Sequence, residues 1–174
     1  RGGLATAILL FSFRYLVTRE LGKYLIVVAL ATSIHFFSVL ALIPYFVFGK
    51  DLVFSKMAPV YLLMPCLVSL FIPFHELLIF LLGDISESLR LYAAWERYTF
   101  SLGYFNPVFL KQLVVLTMFY IFRDKFRSLR DPFLEGAIFF YCIATVWIFV
   151  FRDFAILGAR GASFFSIADF ILLP

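Results

Sequence analysis

Arg160 is a charge inside an apolar run, between Gly158-Ala159 and Gly161-Ala162. A guanidinium stays ionised and offers a planar fork of donors that fits phosphate oxygens. A charge inside a membrane segment is by default functional. The plainer reading is an arginine that snorkels to the interface or pairs with Asp153 or Asp169. Gly158 and Ala162 give the small-x-x-x-small spacing that admits another helix or a lipid headgroup. His35 lies near the middle of a second apolar run, Tyr24–Phe48, where an imidazole needs a partner or a wet cavity. It suits a base, or it is interhelical glue beside Ser33 or Ser38. Arg1 precedes another apolar start, as a phosphate ligand or an ordinary flanking cation. Arg90 and Arg97 could bind acidic groups, and Tyr92, Trp95, Tyr98 and Tyr104 could stack on sugar rings. A solvated amphipathic face with interfacial anchors explains the same residues. His75-Glu76 reads as a proton relay or a polar turn, and no carboxylate (Asp84, Glu87, Glu96) stands out as a base.

The elements that must hold these residues belong in a bilayer. Of 174 residues 64% are hydrophobic and 15% charged, against about 25% charged in soluble domains. Such a chain cannot hide its apolar surface in a water-soluble globule. The net charge of +4 reads as positive-inside bias, not as a nucleic-acid footprint. Cys66 and Cys142 lie in apolar runs without metal or disulfide spacing.

The expected fold is all-α: one polytopic, integral membrane domain over residues 1–174 with about six hydrophobic segments. The chain is expected to be the central to C-terminal part of a longer one. Gly3–Val17 is apolar and short for a crossing, and Thr18–Lys23 is a polar break. Tyr24–Phe48 follows, then the connection Gly49–Lys56. Met57–Leu82 holds Pro59, Pro65 and Pro73, so it should be bent or broken. Gly83–Phe105 is the long polar connection, partly an amphipathic helix around Leu89–Glu96. Asn106-Pro107 fits the cap and first turn of a crossing to Phe122. Pro132–Phe151 crosses back, Arg152-Asp153 is a tight turn, and Phe154–Leu173 is the last crossing.

Short loops rich in Lys and Arg stay cytoplasmic. Arg123–Asp131, the densest basic run, is therefore placed inside, and 83–105 becomes the extracytoplasmic loop. A single crossing by Tyr24–Phe48 would put Thr18–Lys23 outside, against Arg19 and Lys23. A re-entrant hairpin with its tip near Ser33-Ile34-His35 would put it inside, as such hairpins can where they line a cavity. Arg1, the 83–105 loop and the start of the last helix then share the outer face.

Three stretches together resemble the EpsG family of bacterial polysaccharide polymerases, similar in role to the Wzy O-antigen polymerases. They are Arg1-Gly2-Gly3-Leu4-Ala5, the stretch Ala31 to Ser38 around His35, and Ala159-Arg160-Gly161-Ala162-Ser163-Phe164-Phe165. Ile34 and Phe164 replace the family's usual Phe and Tyr, the second dropping a hydroxyl. The resemblance implies a glycosyltransferase of the bacterial inner membrane, acting on the periplasmic or exterior side without a cofactor. It would move a glycan from undecaprenyl diphosphate to a lipid-linked repeat unit. Implied partners are undecaprenyl-diphosphate-linked oligosaccharide donor and acceptor, membrane lipids and a chain-length regulator protein, with no nucleic acid. On that reading Arg160 and His35 are catalytic, and Arg1, Arg90, Arg97 and Tyr98 bind substrate. Competing functions are a flippase or other transporter of lipid-linked sugars, whose repeated halves are not evident here, and a membrane O-acyltransferase using His35 on a sugar hydroxyl.

Overall fold

Prolines, caps and one left-handed residue decide where the helices begin and end. A computed structural model describes residues 2–47, 53, 55–82, 100–103, 105–129 and 131–165. Among the described residues every regular element is helical. The first apolar run is two helices, α1 (Gly2–Leu10) and α2 (Ser12–Val17). Between them the buried Ser12 hydroxyl donates to the Leu9 carbonyl at 2.6 Å, a back-bond of the kind that bends helices. Just past α2, Arg19 takes a left-handed backbone (φ 60°). That conformation usually calls for glycine at a helix end and costs other residues about 1–2 kcal/mol.

Contacts to Tyr45 hold Arg19 there. The Arg19 guanidinium donates to the Tyr45 carbonyl at 2.6 Å and lies 5.2 Å from its ring centre. The Tyr45 hydroxyl donates back to the Arg19 carbonyl at 3.1 Å. The segment between them therefore doubles back. Helix α3 (Leu21–Ile34) rises about 21 Å, the chain turns at the extended residue His35, and a 3-10 segment (Phe36–Ala41) leads into α4 (Leu42–Val47). The buried Tyr24 hydroxyl donates to the Ala41 carbonyl, and the Tyr24 and Tyr45 rings lie 4.9 Å apart. Of the two alternatives for Tyr24–Phe48, the chain adopts the hairpin path.

The proline-rich run is broken as its sequence demands. Helix α5 (Ala58–Val68) carries Pro65 internally, and α6 (Phe74–Leu82) starts after Pro73. A residue ahead of a proline disfavours helical geometry, so no helix runs through Ile72-Pro73, and the chain turns over Ser69–Pro73 between α5 and α6. Helix α7 (Pro107–Ile121) opens on Asn106, whose side chain accepts from the Val108 amide at 2.8 Å. The basic run, read as a connection, is itself helical over Arg123–Leu129 (α8), with Phe126 4.7 Å from Phe119.

Helix α9 (Pro132–Val150) is the hub, capped by Asp131, which accepts from the Phe133 amide at 2.9 Å. It packs against α2, α5, α7 and the last described helix, α10 (Ala155–Phe165). Gly136 lets α2 come close: a Cβ there would lie 2.9 Å from the Phe13 carbonyl oxygen. The buried Phe13 ring fills the gap, 4.5 Å from Phe140 and 5.6 Å from Phe133. Among the described residues one stretch, Phe133–Val150, is long and apolar enough to cross a membrane, and the other apolar helices are shorter. Outside this core large apolar side chains face outward, Phe71 85% and Phe105 83% exposed.

Candidate functional site

His35 earns its position from the backbone. Its amide closes α3 by donating to the Ala31 carbonyl at 2.9 Å, and its own carbonyl accepts from the Ser38 amide at 2.9 Å to start the 3-10 turn. The side chain is half-buried at the hairpin tip, beside Gly2, where a Cβ would lie 3.8 Å from the imidazole Cδ2. The fully buried Ser38 hydroxyl has no hydrogen-bond partner among the described residues. The 3-10 segment packs on α1 and on α10. Three sequence stretches far apart in the chain thus lie on elements that touch.

Arg160 takes a different position from His35. On α10 Gly158, Gly161 and Ala162 face inward. A Cβ on Gly158 would lie 2.9 Å from the Phe151 carbonyl and 3.2 Å from Leu102 Cδ1, and one on Gly161 would overlap the Trp147 indole. Trp147 seals this face by donating Nε1–H to the Leu157 carbonyl at 3.0 Å. The small-residue spacing therefore serves packing of α10 on α9, and Ala159, Arg160 and Ser163 lie exposed on the opposite side. Two apolar cavities of about 310 and 260 Å³ run beside α5 and α9, and neither His35 nor Arg160 lines them. Arg1, Arg90, Arg97 and Tyr98 lie outside the described residues, as do Asp84, Glu87, Tyr92, Trp95, Glu96, Tyr104 and Asp169. Glu76 is exposed near the start of α6.

A polar cluster appears where the sequence suggested only a tight turn. Arg152 is 6% exposed. Its guanidinium donates to the Ser69 hydroxyl at 3.3 Å, the Ser69 carbonyl at 3.4 Å and the Phe149 carbonyl at 3.2 Å. Its Nε lies 3.4 Å from Asp153 Oδ2. Ser101 donates to the other oxygen of Asp153 at 2.8 Å, and the Leu102 amide donates to the Arg152 carbonyl at 2.7 Å. One arginine ties together the end of α5, the turn before α10 and the chain entering α7. The adjacent Arg-Asp was visible in sequence, but its partner Ser69 stands 83 positions away.

At the other end of the hairpin, Lys23 pairs with Glu20 at 2.5 Å. Hydrogen bonds from Lys23 and then Thr18 hold the Glu20 carboxyl below its ordinary range, and Glu20 raises the Lys23 ammonium. Among the described residues no group of three or more His, Cys, Asp or Glu could hold a metal.

The chain matches the model of the EpsG family over residues 1–174 and belongs to that family, one of Wzy-like polysaccharide polymerases. No curated protein and no solved structure matches it. Membership makes this a membrane protein of polysaccharide biosynthesis with a glycosyltransferase-like role.

Proposed function

We propose that the protein polymerises a bacterial polysaccharide of the O-antigen, capsule or exopolysaccharide kind. It does so as a multi-pass enzyme of the inner membrane, moving a glycan from undecaprenyl diphosphate to a lipid-linked repeat unit on the outer face. The observation that carries this reading is that the 3-10 segment following His35 packs both on α1, whose Gly2 lies beside the imidazole, and on α10, which bears Arg160. In such a transfer the acceptor hydroxyl attacks the anomeric carbon, the bond to the diphosphate breaks, and charge grows on the departing phosphate. Arg160 stabilises that charge through its fork of donors. Its exposure on α10 leaves it open to a headgroup arriving from outside the helix core. His35 takes the acceptor proton or orients the sugar. Arg1 is a second diphosphate ligand, and Arg90, Arg97 and Tyr98 on the 83–105 loop receive the glycan. The basic α8 faces the cytoplasm.

Replacing Arg160 with Ala should abolish long polymer while lipid-linked single repeats accumulate outside, read by gel profiles of the glycan and side-specific labelling of the repeats. Normal chain lengths in that variant would overturn the role of Arg160. Repeats trapped inside would favour a flippase. His35→Ala separates base from scaffold, since near-normal polymer with lower protein yield would make the histidine structural.

A further inference from the structure

The larger cavity opens between α5, α7 and α9, with a volume of about 310 Å³. Leu62 and Leu63 on α5, Leu113 and Leu116 on α7, and Ile138 on α9 wall it with hydrocarbon. Among the described residues its lining contains one charged side chain, Arg123, at the junction of α7 and α8. That guanidinium lies 4.9 Å from the Tyr120 ring centre. Its nearby carboxylate, Asp124 at 3.6 Å, is 89% exposed and so holds it weakly. Lys125 and Arg127 continue the positive charge along α8. Leu62 and Cys142 also line the second cavity, so the two lie next to each other as an apolar slot along α9. From Ile138 to Phe151 that slot follows the helix for about 20 Å, the length of an extended acyl chain.

We infer that this slot holds one acyl chain of an anionic diacyl phospholipid, with its phosphate on Arg123. The charge at the mouth selects the headgroup, because arginine grips phosphate oxygens, and the leucine walls take the chain. The site needs the protein to be embedded in a membrane but not the polymerase chemistry. It lies on elements that carry neither Arg160 nor His35.

The test is native mass spectrometry of the full chain released from mild detergent, loaded with phosphatidylglycerol or with phosphatidylcholine of the same chains. Phosphatidylglycerol should be retained at least about tenfold better, and Arg123→Gln should lose about that factor, the scale of one charge-assisted hydrogen bond. Leu63→Trp, which fills the slot from its rim and leaves the charge in place, should lose retention as well. Arg127→Gln removes the same charge from an exposed position and should change retention less than about twofold. Equal loss in Arg123→Gln and Arg127→Gln would overturn the site in favour of diffuse surface charge. Full retention in Leu63→Trp would overturn the chain slot, as would a dimer that excludes lipid from the groove. Unchanged polymer in Arg160→Ala alongside intact lipid selectivity would overturn the role of Arg160 and leave this site standing.

Discussion

At the residue scale, burial separates two arginines of similar sequence context. Arg160 reads as the unusual charge because it interrupts a helix, yet it lies on the open face of α10. Arg152 sits between two apolar runs, where a turn is the obvious reading, and it is the buried one. Arg152→Met should destabilise the protein by about 2 kcal/mol, measured by reversible unfolding in detergent. That is below the 3–5 kcal/mol typical of a broken buried pair, because Asp153 is 40% exposed and regains water. Unchanged stability would show that the Ser69 and Asp153 contacts contribute nothing. Gly161→Ala should cost about 1–3 kcal/mol by overpacking against Trp147, and Trp147→Phe in the same chain should recover part of it. A neutral Gly161→Ala would mean that α10 does not lie this close to α9.

At the element scale, the hairpin was legible in sequence only as one of two alternatives, through the mismatch of Arg19 and Lys23 with a single crossing. Its fastening was not legible. Arg19 carries no signal for a left-handed residue, and the Tyr45 bonds that hold it are tertiary. Cysteines placed at Thr18 and at Val47 should both react with an impermeant thiol reagent from the same side of the membrane. Reaction from opposite sides would restore the single crossing. Tyr45→Phe should cost about 1 kcal/mol, the net worth of one hydrogen bond.

The Glu20–Lys23 pair adds a small pH dependence. The lowered Glu20 contributes stability above its unfolded value, near 4.5, that is lost as pH falls through the folded value. The raised Lys23 contributes stability below its unfolded value, near 10.5, that is lost as pH rises through the folded one. Both contributions are therefore present at neutral pH, and both are screened because the groups are exposed. Glu20→Gln should flatten the acid limb slightly in a melting-temperature series. Helix starts were the most readable feature, since Asn106-Pro107 and Asp131-Pro132 each supply a cap and a first-turn proline. The break ahead of Pro73 was readable for the same local reason, while the helical state of Arg123–Leu129 was not.

At the scale of the whole molecule, α9 determines what is solid and what is not. It touches helices from the beginning, middle and end of the chain, and Ala137–Tyr141 is buried throughout. Opening its amides means separating several helices at once. Hydrogen exchange should accordingly be slowest within Gly136–Ile148 and fastest in α8, which has no buried residue. Equal protection in both would show that α9 is not the hub. The composition announced a chain for an apolar solvent, and the outward phenylalanines agree with it. The helix that would organise the rest was less legible, because long contact networks leave no trace in local spacing.

The clasp between Arg19 and Tyr45 also bears on how the protein is born. Tyr45 leaves the ribosome 26 residues after Arg19, so α3 emerges before the tyrosine that clasps its base. Until the tyrosine arrives, that clasp stays open. The first arm must therefore be made and released before anything can fix where it turns back.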